Sequence, residues 1–211
     1  MPDKNGPNPS TPPIVAILRG VKPDEILDIA AALVEAGIGA IEVPMNSPDP
    51  LVSIGKLCAA FGDKALCGAG TVLSPEVVDQ VAGVGGKLIV TPNIDTDVIR
   101  HAVGLGLTVM PGFATPSEAF AADKAGAKAL KLFPAGTFGP GHIKAVRDVL
   151  PKDVAVYAVG GVGAANLEPW IKAGVAGIGV GGELYRPGYT AEDVGARARA
   201  LVAAWTEQTT Q

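Results

Sequence analysis

A chain of 211 residues, 48% hydrophobic and 18% charged, is long enough for one sizeable core and suits a single domain of α/β-barrel size. Its formal net charge of -4 excludes a basic nucleic-acid surface; there is no apolar run long enough to span a bilayer and no signal peptide with a basic start and apolar middle. The two cysteines, Cys58 in an expected helix and Cys67 in an expected strand, have no metal-ligand spacing and read as buried free thiols of a cytoplasmic protein.

Residues 1–13 carry five prolines and little that is apolar, which predicts a disordered or extended tail. The barrel domain is expected over 14–207, with 208–211 as a short C-terminal tail. Within 14–207 one pattern recurs: an apolar run ends in a small, polar or glycine residue, and an amphipathic stretch follows. The predicted strands are Ile14–Leu18, Ala40–Pro44, Ala65–Gly70, Leu88–Pro92, Thr108–Pro111, Ala129–Phe133, Val154–Val159 and Gly177–Val180. Helices are expected between them. Their start signals are Lys22-Pro23-Asp24-Glu25, Ser74-Pro75-Glu76, Thr115-Pro116-Ser117-Glu118 and Thr190-Ala191-Glu192-Asp193, where proline or an acid occupies the first turn. Gly37, Gly126 and Gly174 mark helix ends. Eight such units with near-continuous apolar strands predict a single-domain (β/α)₈ TIM barrel, with an open doubly wound sheet as the alternative.

Chemistry in this fold collects at the C-terminal ends of the strands. Charged residues are few there: Arg19, Glu42 and Lys131. Lys131 interrupts the apolar run Ala129 to Phe133, where desolvation disfavours the ammonium and favours a nucleophilic amine. The alternative is a lysine that snorkels to a barrel end or pairs with a carboxylate. Glu42, between Ile41 and Val43, is a candidate proton shuttle or one half of a structural ion pair with Lys131 or Arg19. Arg19 suits a carboxylate or phosphate, or a rim salt bridge.

Gly160-Gly161 and Gly181-Gly182 end the seventh and eighth strands, where barrels frequently hold phosphate on backbone N–H groups. Thr71, Thr91 and Asn93 are candidates either for hydrogen bonds to a substrate or for capping the next helix. His101 and His142 fall in expected helices and read as surface or packing residues. No metal-ligand cluster and no nucleotide-binding glycine fingerprint is present, so neither metal nor cofactor is expected.

In order, Ile17-Leu18-Arg19-Gly20, Ile41-Glu42-Val43-Pro44, Gly68 to Leu73, Ile89 to Asn93, Met110-Pro111-Gly112, Leu130 to Pro134 and Val159 to Val162 make the domain resemble the 2-keto-3-deoxy-phosphosugar-acid aldolases of the Entner–Doudoroff type. That resemblance implies a cofactor-free class I aldolase, a (β/α)₈ homotrimer acting on a phosphorylated 2-oxo acid, with no nucleic-acid or membrane partner. It makes Lys131 the Schiff-base lysine and Glu42 the proton shuttle. It gives Arg19 and Thr71 to the pyruvyl carboxylate, Pro92 and Phe133 to the pyruvyl pocket, and Gly160, Gly161, Gly181 and Gly182 to the phosphate. Members specific for 6-phosphogluconate compounds commonly carry an arginine shortly after the Glu-Val/Ile pair, and Pro-Thr-Gly-Gly at the seventh strand end. Here the stretches are Pro44-Met45-Asn46-Ser47 and Ala158-Val159-Gly160-Gly161, which resemble the branch acting on the C4 epimer, the 6-phosphogalactonate compounds. Val159 in place of threonine removes a hydroxyl beside the substrate's own. Gly182-Glu183, where many members have serine after the glycine, removes one side-chain contact to phosphate. The same reaction on the gluconate epimer, a phosphosugar isomerase or transferase barrel, and a non-catalytic phosphosugar-binding barrel are the alternatives.

Overall fold

A computed structural model describes residues 11–210 of the chain. Most of the expected proline-rich tail therefore lies outside the described residues, as does Gln211. Where description begins, the chain is already tied to the sheet: the Pro13 carbonyl accepts from Ile178 N at 3.1 Å.

Nine parallel strands are formed among the described residues. They are β1 (Ile14–Ile17), β2 (Ala40–Pro44), β3 (Leu66–Gly70), β4 (Leu88–Val90), β5 (Thr108–Met110), β6 (Gly112–Phe113), β7 (Ala129–Leu132), β8 (Ala155–Val159) and β9 (Gly177–Val180). Their order in the sheet is β5-β4-β3-β2-β1-β9-β8-β7-β6. The two outer members, β5 and β6, are consecutive in the chain, so the sheet closes on itself as a (β/α)₈ barrel. All eight expected strands are present, with one correction. The run expected as Thr108–Pro111 stops at Met110 and resumes at Gly112. Pro111 has no N–H to give the ladder, and the two short strands serve opposite neighbours, β5 pairing with β4 and β6 with β7. The Pro111 carbonyl still accepts from Lys131 N at 3.0 Å, which carries the ladder across the break.

The helices are α1 (Ile26–Glu35), α2 (Pro50–Phe61), α3 (Pro75–Gly83), α4 (Thr96–Gly104), α5 (Pro116–Lys124), α6 (Ala135–Phe138), α7 (Pro140–Arg147), α8 (Glu168–Lys172) and α9 (Ala191–Thr209). Ser74 caps α3, and Thr115 and Thr190 form reciprocal capping boxes with Glu118 and Asp193, as the start signals predict. Glu25, expected to help start α1, does otherwise: its carboxylate accepts from Lys22 N and from the Tyr185 hydroxyl. The expected barrel limit at 207 falls inside α9, which runs on to Thr209.

Alternation along the strands sorts side chains into two layers. On β7, Leu130 and Leu132 are fully buried against the helices. On β2, Ile41 and Val43 do the same. The intervening residues face the barrel interior. Near its amino-terminal end the interior is filled by Val15, Ala40, Leu88, Val90, Met110 and Tyr157. Glycine on β9 makes room for the ring: a Cβ at Gly177 would lie 2.3 Å from Tyr157 Cε1. Above this apolar plug the interior residues on β2 and β7 are Glu42 and Lys131.

Candidate active site

Glu42 and Lys131 are 2% and 7% exposed, so both ionisable groups sit inside the barrel. Each has a glycine as one of its two ladder neighbours, with Ile17 beside Glu42 and Tyr157 beside Lys131 on the other side. Glu42 lies opposite Gly68 on β3, and Lys131 lies opposite Gly112 on β6. Gly70 provides the space for the carboxylate: a Cβ there would stand 1.9 Å from Glu42 Oε2. That oxygen is buried and has no hydrogen-bond partner. An orphaned acceptor beside a buried amine is costly unless a ligand or its proton supplies the missing bond.

Burial dominates both titrations. It pushes the Glu42 carboxyl up to about 7, against the opposing pull of Lys131 and then Arg19. It pushes the Lys131 amine down to about 8, against the attraction of Glu42 and with repulsion from Arg19 adding to it. The two groups thus approach one another in proton affinity near neutral pH, the arrangement that lets one site hold a nucleophilic amine and a proton donor together. Neither ion-pair alternative is realised: among the described residues Arg19, Glu42 and Lys131 form no salt bridge. Lys131 Nζ instead lies 4.9 Å from the centroid of the Phe133 ring.

Arg19 follows β1 at the mouth, its side chain exposed and its Nη1 donating to Asn46 Oδ1 at 2.5 Å. Beside it is a cavity of 190 Å³, lined by Arg19, Phe133, Val159, Gly160, Gly161, Gly181 and Gly182 together with Ile17, Val162, Gly179, Val180 and Glu183. Seven of the residues singled out in the sequence therefore meet in one place. Gly160 and Gly161 adopt φ values of 91° and 79°, which side-chain-bearing residues rarely take. Their carbonyls are engaged, by Gly136 N and by Asn166 Nδ2, so amide N–H groups are what they can offer an anion. Val159 packs on Gly179, where a Cβ would fall 2.8 Å from Val159 Cγ2. Glu183, which stands after Gly182 where the resemblance expects serine, also lines this cavity. Its carboxylate folds against Gly163, and its carbonyl accepts from Arg197.

Thr71 and Pro92 follow β3 and β4, half-buried, outside the glycine-lined cavity. Thr71 has φ 56°, an outlying conformation for a β-branched residue. It caps nothing, since the α3 cap is Ser74. Thr91 is 1% exposed and donates its hydroxyl to the Asn93 carbonyl, while Asp95 caps α4. The capping alternative is thus wrong for all three candidates, and Thr91 is a loop staple. His101 pairs with Asp79 on the surface and His142 stacks near Phe138.

Two features escaped the sequence reading: the space that Gly70 leaves for the Glu42 carboxylate, and the contacts of Asn46 and Ser47 with the turn at Arg19 and Gly20. Gly70 shares inward parity with Glu42, which is the signal a register-based reading would use. A second cavity, of 450 Å³, opens at the opposite barrel end. The lysine at its edge, Lys128, is engaged by Asp123 and Asp153, and neither Glu42 nor Lys131 reaches it. Among the described residues no group of three or more His, Cys, Asp or Glu could hold a metal ion, and no helix is long and apolar enough to cross a membrane.

A family profile described as KDPG and KHG aldolase matches residues 9–197. The chain is 55% identical over 195 residues to the 2-dehydro-3-deoxy-6-phosphogalactonate aldolase of Escherichia coli K12, covering 92% of this chain and 95% of that one. It is 31% identical over 160 residues to the 2-dehydro-3-deoxy-phosphogluconate aldolase of Pseudomonas aeruginosa, covering 75% and 70%. A solved structure titled "Native KDPGal structure" superposes with a TM-score of 0.93 at 54% identity, covering 94% of this chain and 97% of that one.

The two buried groups make folding stability depend on pH in opposite senses. Between 4.5 and about 7 the folded chain holds a proton on Glu42 that the unfolded chain has lost, so stability falls as pH rises. Between about 8 and 10.5 the unfolded chain holds a proton on Lys131 that the folded chain has lost, so stability rises with pH. Urea midpoints are expected to show the first slope flattened in Glu42→Gln and the second flattened in Lys131→Met. Identical pH profiles in wild type and variants would contradict the burial account.

Proposed function

The chain belongs to the KDPG and KHG aldolase family, and we propose that it is a class I aldolase that reversibly cleaves 2-dehydro-3-deoxy-6-phosphogalactonate to pyruvate and D-glyceraldehyde 3-phosphate. The observation that carries this reading is the pair inside the barrel: an amine lowered to about 8 and an unpartnered carboxyl raised to about 7, under an arginine and a glycine-lined anion cavity.

In the proposed reaction, Arg19 and Thr71 receive the substrate's carboxylate, and the pyruvyl end lies between Pro92 and Phe133. The neutral Lys131 amine adds its lone pair to the C2 carbonyl carbon. Glu42 gives its proton to the departing C2 hydroxyl, and water leaves as the carbinolamine becomes a protonated imine. The imine draws electrons from the C3–C4 bond once the C4 hydroxyl has lost its proton to the Glu42 carboxylate. D-glyceraldehyde 3-phosphate departs. The enamine left on Lys131 takes a proton at C3, and water hydrolyses the resulting imine to pyruvate and free amine. The amides of Gly160, Gly161, Gly181 and Gly182 hold the phosphate.

Preference for the galactonate epimer is supported by Val159, whose apolar side chain lines the cavity. A purely apolar wall rewards the epimer that turns its C4 hydroxyl elsewhere. The sequence of the galactonate-named relative is also the nearer of the two compared, at 55% against 31% identity. Assembly as a homotrimer in the cytoplasm belongs to the same proposal and rests on the family resemblance.

Pyruvate release from the two purified C4 epimers, assayed with a lactate dehydrogenase couple, tests this directly. The galactonate epimer is expected to be cleaved about tenfold or more faster. Lys131→Ala should release no pyruvate, and Glu42→Gln should lose about 10²–10⁴-fold in turnover. Faster cleavage of the gluconate epimer would overturn the epimer assignment, and full activity in Lys131→Ala would overturn the mechanism. Sedimentation is expected to give three times the 21.2 kDa chain mass, and a monomer would contradict the trimer.

A further inference from the structure

We propose that Asn46 is the positioning residue for Arg19, holding the guanidinium over the mouth through an uncharged acceptor so that its full positive charge remains free for the substrate's carboxylate. This rests on the reading of Arg19 as the carboxylate-binding group.

Arg19 is exposed at the end of β1, and a long exposed side chain without a partner spreads over many rotamers, whose loss opposes binding when a ligand must order it. Here the turn after β2 grips it at two points. Asn46 Oδ1 accepts from Nη1 at 2.5 Å. The adjacent Ser47, 8% exposed, accepts at Oγ from Gly20 N at 3.0 Å, and its own N donates to the Pro44 carbonyl. Gly20 is further confined at φ 86°, where a Cβ would lie 2.8 Å from Pro187 Cγ. Consecutive residues of one turn therefore hold the head of Arg19 and the backbone N–H of the next residue, Gly20, each across a separation of 27 residues.

The choice of an amide matters. A carboxylate at this position would bind the guanidinium more tightly but would compete with the incoming carboxylate for the same donors. It would also cancel a charge that acts on both buried groups: Arg19 lowers the proton affinity of Lys131 and of Glu42. The Asn46 carbonyl has one dominant effect, orientation, and leaves the remaining guanidinium donors available. Asn46 lies four residues beyond Glu42 on the same chain segment, so the proton-shuttling strand also carries the support for the arginine.

The test is borohydride trapping of the pyruvate imine, followed as a function of pyruvate concentration, in wild type, Asn46→Ala, Arg19→Ala and the double variant, with far-UV circular dichroism as the folding check. Asn46→Ala is expected to raise the half-saturating pyruvate concentration about five- to tenfold, with a smaller change in the maximal trapping rate. In the Arg19→Ala background the same substitution should add nothing, because its only route to the substrate is gone. An unchanged half-saturation in Asn46→Ala, with Arg19→Ala weakened, overturns the inference alone. A full Asn46→Ala penalty in the Arg19→Ala background also overturns it. Failure of the wild type to be trapped at all overturns the aldolase mechanism beneath it, and the inference with it.

Discussion

Desolvation of two ionisable groups inside one barrel is the constraint on which the rest of the site depends. An amine and a carboxylate in water would hold opposite charges at neutral pH and attract one another. Inside the barrel, burial outweighs that attraction for each of them: Lys131 is held below its ordinary range and Glu42 above its own. A direct salt bridge would have restored the ordinary charge states and removed the reactivity. The strands prevent it by geometry, with Glu42 over the space at Gly70 and Lys131 over the Phe133 ring. The apolar plug of Val15, Ala40, Leu88, Val90, Met110 and Tyr157 closes the interior beneath them, so the mouth is the open approach.

The glycines follow from the same constraint. Gly70 on β3 leaves room for the Glu42 carboxylate, Gly112 on β6 lets the Pro92 backbone approach, and those after β8 and β9 bring backbone amides to the cavity wall. Arg19 connects the two halves of the site. Its charge reaches the buried pair while its side chain forms part of the cavity in which the glycine turns meet. Glu183, pressed against Gly163 at that cavity, adds an acid where a purely anion-binding wall would have none. Phosphate held there would depend chiefly on backbone donors, with Arg19 the cation among the lining residues.

Much of this was legible in the residue order. Lys131 stood out because a charge inside an apolar run between Gly126 and Pro134 has few inexpensive explanations, and the strand-end rule then brought Arg19 and Glu42 to the same mouth. Helix starts were readable wherever a short side chain caps its own turn, as at Ser74, Thr115 and Thr190. Other features depend on partners distant in sequence. The break at Pro111 reflects which neighbour each half-strand pairs with. Thr91, open in the sequence to a substrate bond or a helix cap, donates its hydroxyl to the Asn93 carbonyl. Asn46 and Gly70 acquire meaning only from the folded arrangement, since they serve Arg19, 27 positions earlier, and Glu42, 28 positions earlier. Local propensity carries no information about such contacts.

The central claim is that burial, and not an ion pair, sets the protonation of Lys131. Carbon-13 NMR of Cε-labelled lysines in the ligand-free enzyme, titrated with pH, measures it directly, with the Lys131 resonance assigned by its loss in Lys131→Met. The account predicts one lysine titrating near about 8, and that resonance alone missing from the variant. A Lys131 resonance titrating at or above the ordinary 10.5 would contradict it and return the residue to the role of a structural cation.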